Sequence, residues 1–178
     1  MRLVSTIFAF TAIFIATAVS AQQPVPNQWA FAWPETDFTK ASVEFRTIIS
    51  GGVPKDGIRA IIDPAFAPIG DLDSLAGTEP VIGLIVNGVA KAYPLQILTR
   101  HEIVNDVIGG VPVAVTFCPL CNTAIVFERT VGDVVLDFGV SGKLRNSDLI
   151  MFDRQTESWW QQFTGDSIVG EFMGAELA

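Results

Sequence analysis

The sequence predicts a mainly β fold, a compact antiparallel sheet or barrel-like domain with one or two short helices. Apolar, β-branched runs recur along the second half of the chain, and turn residues separate them. Hydrophobic residues make up 49% of the 178 residues and charged residues only 17%, so disorder over most of the chain is excluded. A chain of this length holds one domain or little more.

The first clear element is a β-hairpin. Val81 to Val86 and Val89 to Tyr93 flank Asn87-Gly88, a dipeptide that favours a two-residue type I′ turn. Pro94 can open a helix, and the apolar spacing after it predicts a short amphipathic helix through Asp106.

A strand and two further hairpins complete the prediction. Val111 to Phe117 is an apolar, β-branched run that leads directly into Cys118-Pro119-Leu120-Cys121. The two later hairpins pair 124–129 with 134–140 and 147–152 with 158–163.

The N-terminus predicts export. Residues 1–21 combine Arg2, a long apolar run and small residues at its end, the layout of a secretory signal peptide. We expect a periplasmic or secreted protein without a stable membrane span after cleavage. Residues 22–40, rich in proline and aromatic residues, predict an extended arm that packs onto the domain through its aromatic rings, and residues 41–178 predict a single domain. The chain stops within apparently structured sequence and without a polar tail, so a coding sequence truncated at its C-terminus and a natural C-terminus are both open interpretations.

The charge balance restricts the partners. With 19 acidic and 11 basic residues the formal net charge is −8, and phosphate recognition needs clustered Lys and Arg, so nucleic acid is excluded. The partner that remains is an unidentified protein or a metal-transfer partner.

Both cysteines lie in one Cys-x-x-Cys motif, Cys118 and Cys121. A disulfide closing so short a loop stabilises a fold by only about 2 kcal/mol in the chain-entropy model, so a purely structural bridge is not favoured. The spacing suits chelation of a soft metal ion through two sulfurs, and it also suits thiol–disulfide exchange. All three interpretations stay open.

The single histidine, His101, is the third candidate ligand. It precedes the strand that leads to Cys118, and Glu102, Asn105 and Asp106 are close enough in sequence to orient its ring as outer-shell groups. On a helix Asn105 would share its face. Two sulfurs and one nitrogen match a copper(I) site, or a zinc site with a fourth ligand.

A second polar cluster, residues 141–148, lies between two predicted strands. Arg145, Asn146 and Asp148 could line a pocket there. The alternative interpretation is a solvated loop with local side-chain caps.

Several ordered motifs carry a family resemblance. They are Thr36-Asp37-Phe38-Thr39-Lys40, Lys55-Asp56-Gly57-Ile58, Glu79-Pro80-Val81-Ile82-Gly83, Ala92-Tyr93-Pro94-Leu95, His101-Glu102-Ile103-Val104-Asn105-Asp106, Cys118-Pro119-Leu120-Cys121, Phe138-Gly139-Val140-Ser141-Gly142, Asn146-Ser147-Asp148-Leu149 and Asp153-Arg154-Gln155-Thr156. With these motifs the chain resembles the bacterial family described as domain of unknown function 3179. The resemblance implies an exported or membrane-associated protein with signature positions at His101 and at Cys118 and Cys121. Arg100 and Asn122 depart from the residues expected beside them.

Three functions follow as expectations. The first is an exported protein that binds a soft metal ion, copper before zinc, through Cys118, Cys121 and His101. The second is a periplasmic thiol–disulfide oxidoreductase in which Cys118 attacks, Cys121 resolves and His101 moves a proton. The third is a structural or partner-binding domain with a local disulfide. Whether the protein is an enzyme stays open.

Overall fold

The computed structural model describes residues 23–72 and 75–178. The predicted signal peptide, residues 1–21, lies outside the described residues. The described chain is mainly β, with antiparallel sheets that include a curled half-barrel, which confirms the predicted fold class. None of the helices in this part of the chain is long and apolar enough to cross a membrane.

The secondary structure of the described residues consists of short elements. The helices are α1 (Asn27–Ala32) and α2 (Leu95–His101), and short 3₁₀ turns span Phe45–Thr47 and Ile69–Asp71. The strands are β1 (Ile48–Ser50), β2 (Ile61–Ile62), β3 (Val81–Val86), β4 (Val89–Pro94), β5 (Ile103–Ile108), β6 (Val111–Cys118), β7 (Thr123–Glu128), β8 (Thr130–Val131), β9 (Val134–Val135), β10 (Phe138–Arg145), β11 (Asp148–Asp153), β12 (Trp159–Gln161) and β13 (Ser167–Val169).

The described strands form two main sheets and two separate hairpins. Sheet A has the order β1-β10-β11-β12-β13 and is antiparallel throughout. Sheet B has the order β2-β5-β6-β7, in which β2 pairs with β5 in parallel and the other pairs are antiparallel. The hairpins are β3–β4 and β8–β9. The β3–β4 turn is the predicted one, with Asn87 and Gly88 both at positive φ.

The predicted helix through Asp106 is wrong in its second half. Helix α2 ends at His101, Glu102 adopts a φ of 59°, and Ile103 begins strand β5. The reason is tertiary: β5 pairs with β2 and β6, and five of its six residues are buried, so both of its faces are covered and the apolar residues do not alternate with polar ones. A run of such residues does not distinguish a strand from a buried helix by its pattern alone.

Of the two later hairpins, the one predicted between 147–152 and 158–163 is confirmed, since β11 pairs with β12 in antiparallel orientation, whereas the one predicted between 124–129 and 134–140 is wrong. Strand β7 pairs with β6 rather than with the residues after Gly132, where β8 and β9 form a hairpin of two residues on each side. Strand β10 instead pairs with β11. The polar cluster at 141–148 is therefore not a loop, because 141–145 belong to β10 and only Asn146 and Ser147 turn the chain.

The expected extended arm contains a helix. Helix α1 carries Trp29, which together with Trp33 is buried against Trp159, at ring-centroid distances of 4.9 and 5.2 Å. Burial of these large rings outweighs the weak helix propensity of a proline-flanked segment. The predicted docking by aromatic rings is what the structure shows, whereas the division of arm from domain at residue 40 stays a prediction.

The Asn105 side chain joins the two sheets at the start of β10. Asn105 of β5 is fully buried, and its amide nitrogen donates to the Phe138 carbonyl while its amide oxygen accepts from the Phe138 N–H, both at 2.8 Å. The amide thereby replaces a strand neighbour at the start of β10. Apolar side chains from both sheets then pack into one cluster, among them Ile103 and Cys118 from sheet B and Leu149 and Met151 from sheet A.

Replacing Asn105 with alanine should destabilise the fold by about 3 kcal/mol. The substitution leaves the buried N–H and C=O of Phe138 without partners, at roughly 1–3 kcal/mol for each group. Urea unfolding followed by tryptophan fluorescence measures the loss. Asn27→Ala, at an exposed position of α1, is the matched control and should change stability by less than about 0.5 kcal/mol. Equal stability of both variants would contradict the role of Asn105.

Candidate metal centre

Both cysteines lie at one end of sheet B. Cys118 is the last residue of β6 and pairs with Thr123, the first residue of β7, so that four residues form the loop between them. Asn122 closes this loop with a φ of 51°, a conformation that asparagine tolerates better than most residues. Cys118 is buried and Cys121 half-buried, and both are free thiols.

The β10–β11 turn brings a carboxylate to the same place. Asn146 and Ser147 have φ of 53° and 64°, as the two central residues of a type I′ turn require. Arg145 and Asp148 face each other across this turn. The turn therefore sets Asp148 at the first position of β11, where its side chain is buried.

The three side chains converge. One ligand atom each from Cys118, Cys121 and Asp148 lies within 4.8 Å of the other two. The Cys121 thiol donates to Oδ1 of Asp148 at 3.4 Å. The other carboxylate oxygen, Oδ2, accepts from the Gln161 amide and from the Phe163 N–H. One oxygen therefore faces the sulfurs while the other is fixed by the protein.

The electrostatics of the pair favour a protonated Cys118 thiol. Burial raises the pKa of Cys118, and the adjacent Cys121 thiol acts in the same direction. The backbone amides of Cys121 and Leu149 oppose this rise, because they donate toward the sulfur. Burial dominates, so an additional positive charge is needed to hold this sulfur as a thiolate near neutral pH.

His101 is not a member of this group of ligand atoms. Its Nδ1 lies 2.7 Å from the Arg59 carbonyl oxygen. The third candidate metal ligand beside the two sulfurs is a carboxylate oxygen of Asp148. The histidine ends α2, and the next residue has a positive φ at the point where the chain passes from helix to strand. That residue, Glu102, is half-buried, and burial raises the pKa of its carboxyl to about 7.

The other predicted outer-shell residues have different contacts. Asn105 binds the backbone of Phe138, as described above. The Asp106 carboxylate accepts from the Lys91 ammonium and from the Tyr93 hydroxyl, so it ties β5 to β4. These contacts follow from the strand that replaces the predicted helix, because neighbouring residues of a strand point to opposite faces.

The predicted pocket of Arg145, Asn146 and Asp148 is divided. Asp148 joins the cysteines, Arg145 donates to the Gln161 side chain at 3.5 Å, and Asn146 is exposed at the turn. Sequence reasoning did not find the contacts of Gln161 and Phe163 with the carboxylate. The polar pair Gln161-Gln162 after two tryptophans was the available signal, since buried amides in an apolar strand need hydrogen-bonding partners.

Fold and site define a class: a mainly β domain in which two hairpins bring a pair of free thiols and a carboxylate together. Within that class the chain belongs to the family described as protein of unknown function (DUF3179), whose model matches residues 55–178. The matched region contains Cys118, Cys121, Asp148 and His101 and begins after α1. The comparisons with curated proteins and with solved structures found no match.

The two thiols should differ in reactivity. Iodoacetamide at pH 8 should modify Cys121 at least about tenfold faster than Cys118, because Cys118 is only 1% exposed and its pKa is raised. Peptide mass spectrometry over a time course measures both rates. Cys118→Ser should keep the fast phase and Cys121→Ser should lose it. Faster labelling of Cys118 would show that its sulfur is accessible as a thiolate.

Proposed function

We propose that this protein binds a divalent metal ion, zinc in preference to copper, through Cys118, Cys121 and Asp148. The observation that carries the proposal is the convergence of two sulfurs and one carboxylate oxygen within 4.8 Å. Three protein ligands leave a fourth tetrahedral position for water or an incoming ligand, as in zinc sites that act on or transfer a bound molecule.

The donor set favours zinc. Zinc accepts thiolate and carboxylate ligands together, whereas copper(I) prefers sulfur and imidazole. The expectation of copper depended on His101 as third ligand, and an oxygen donor at that place favours a borderline ion. Bound zinc would also supply the positive charge that a buried Cys118 thiolate lacks.

The surroundings of Asp148 support the same function. Gln161 and the Phe163 N–H fix one carboxylate oxygen, which leaves Oδ1 directed at the Cys121 sulfur. Outer-shell hydrogen bonds of this kind orient metal-binding carboxylates. Asp148 lies on a strand of sheet A and Cys118 on a strand of sheet B. Because strands are more rigid than loops, these two ligands are held in place before a metal ion binds.

Thiol–disulfide exchange is less well supported. An attacking cysteine needs an accessible thiolate, and Cys118 is buried with a raised pKa.

The proposal includes export to the periplasm or beyond, because residues 1–21 have the pattern of a signal peptide. In that oxidising environment a bound metal ion would protect the two thiols from forming a disulfide.

The first test is zinc affinity of the reduced chain lacking residues 1–21, measured by competition with a chromophoric chelator. Cys121→Ser and Asp148→Asn should each weaken binding by more than the roughly 10–100-fold that loss of an outer-shell partner costs. His101→Ala should bind zinc as the unchanged protein does. Asp133→Asn, an exposed carboxylate in the β8–β9 turn, is the matched control and should have no effect.

Circular dichroism of each variant separates loss of a ligand from loss of the fold. If His101→Ala bound zinc weakly and Asp148→Asn bound it tightly, the third ligand would be the His101 imidazole rather than the Asp148 carboxylate. Unchanged binding in Cys121→Ser would contradict the proposed site.

The second test is the pH dependence of zinc binding. Since the raised pKa keeps Cys118 protonated in the metal-free protein, zinc must displace its proton. The apparent affinity should therefore fall by about tenfold or more for each unit of decrease in pH, and zinc addition to a weakly buffered sample should release acid. A pH-independent affinity between pH 6 and 8 would contradict thiolate ligation.

A further inference from the structure

Lys143 differs from the other three lysines of the chain. Lys40 pairs with Glu171, Lys55 with Glu157 and Lys91 with Asp106. Among the residues that the structure describes, Lys143 has no acidic partner within 4.0 Å, and no protein atom accepts a hydrogen bond from its ammonium group. Its three donors are free although the side chain is not fully exposed.

A β-bulge sets the direction of Lys143. The register of β10 against β11 shifts between Val140 and Lys143, so Ser141 and Gly142 are the extra residues. Gly142 has a φ of 72°, and a Cβ built there would lie 2.1 Å from the Val53 carbonyl oxygen, so a side chain is excluded at this position. Bulges of this kind redirect the following side chain. The bulge therefore determines the direction in which the Lys143 side chain projects from the sheet.

Aromatic rings surround the amine. Nζ of Lys143 lies 4.4 Å from the ring centroid of Trp29, 5.1 Å from that of Trp159 and 5.9 Å from that of Trp33, within the range of cation–π attraction. Burial lowers the pKa of Lys143 to about 8, because the charged form is partly desolvated and no anion compensates it. A methionine would fill this space without that electrostatic cost.

The amine lies in the wall of a groove of about 1120 Å³. This volume slightly exceeds the roughly 300–1,000 Å³ that is typical of small-molecule sites. The lining contains the largely buried rings of Trp29, Trp33 and Phe45, several prolines, the cations Lys55, Lys143 and Arg46, and one acidic residue, Glu44. Glu44 is itself paired with Arg46. Since Lys55 is paired with Glu157 and Arg46 with Glu44, Lys143 is the cation of this lining that no carboxylate of the described residues compensates within 4.0 Å.

We propose that this groove binds a small organic anion with a flat apolar body, such as an aromatic carboxylate, and that the ammonium of Lys143 is its anchor. The apolar body packs against the exposed apolar lining of the groove, which includes Pro24, Ala32 and Pro54. The anion occupies the place that an acidic side chain holds beside the other three lysines. The proposal is independent of the metal centre, since Cys118, Cys121 and Asp148 do not line the groove.

The pH dependence of such binding has a definite sign. Below about pH 8 the amine is charged and attracts the anion, and above it the neutral amine loses this attraction. A bound anion stabilises the charged form, so binding takes up protons near pH 8 and weakens as the pH rises further. An uncharged ligand of the same shape would bind without this dependence.

The test uses 2-naphthoate as probe and 2-naphthylmethanol as its uncharged analogue. Binding to the chain without residues 1–21 is measured by quenching of tryptophan fluorescence. Lys143→Met should weaken 2-naphthoate binding by about tenfold or more, the loss expected for a charge-assisted hydrogen bond, and leave 2-naphthylmethanol unaffected. Lys143→Arg should restore most of the affinity. Lys40→Met, which removes a paired lysine outside the groove, is the matched control and should bind as the unchanged protein does.

Thermal unfolding confirms that each variant is folded, and Lys143→Met should be at least as stable as the unchanged protein, since it removes an unpaired, half-buried charge. Affinity for 2-naphthoate should fall between pH 8 and 10. Equal affinity of Lys143→Met and the unchanged protein would overturn the proposal, and so would absence of binding at millimolar probe. Equal binding of the charged and uncharged probes would show an apolar groove without an anchor.

Discussion

The buried Asn105 amide is the contact on which the arrangement of this molecule depends. Its two hydrogen bonds to the backbone of Phe138 hold strand β5 of sheet B beside the start of β10 in sheet A. Cys118 and Cys121 belong to the end of sheet B, and Asp148 belongs to sheet A. Because the candidate ligands come from different sheets, the distance between them depends on how the two sheets are held together. The Asn105 hydrogen bonds and the shared apolar cluster both hold the sheets in place.

Strand β10 connects the two proposed sites. Its bulge at Ser141 and Gly142 directs Lys143 toward the aromatic groove, and its last residue opens the turn that delivers Asp148. Trp29 of α1 and Trp33, which follows the helix, line the groove, although both lie before the region that the family model matches. The metal centre is built within the matched region, whereas the groove also needs Trp29 and Trp33.

The sequence predicts those features that local chemistry determines. Asn87-Gly88 specifies its turn, and the β-branched run before Cys118 specifies its strand, because both signals are contained in a few residues. The conversion of residues 103–106 from predicted helix to strand could not be predicted, since it results from pairing with β6, which follows in the chain. The same limit applies to the third ligand: Asp148 is 27 residues from Cys121, and only the packing of the sheets shows that they meet.

The two-residue turn at Asn146 and Ser147 also restricts which changes of chain length this hairpin can tolerate. Side chains alternate between the faces of a strand, so one inserted residue would reverse the orientation of Asp148 and exchange the inner and outer residues of β11. That strand is buried along its whole length, and neither face has room for the exchange. Sequence drift at the tip can therefore proceed by replacement with other residues that accept a left-handed backbone, while an added or deleted residue is tolerated only where the turn absorbs it without shifting the register of β11.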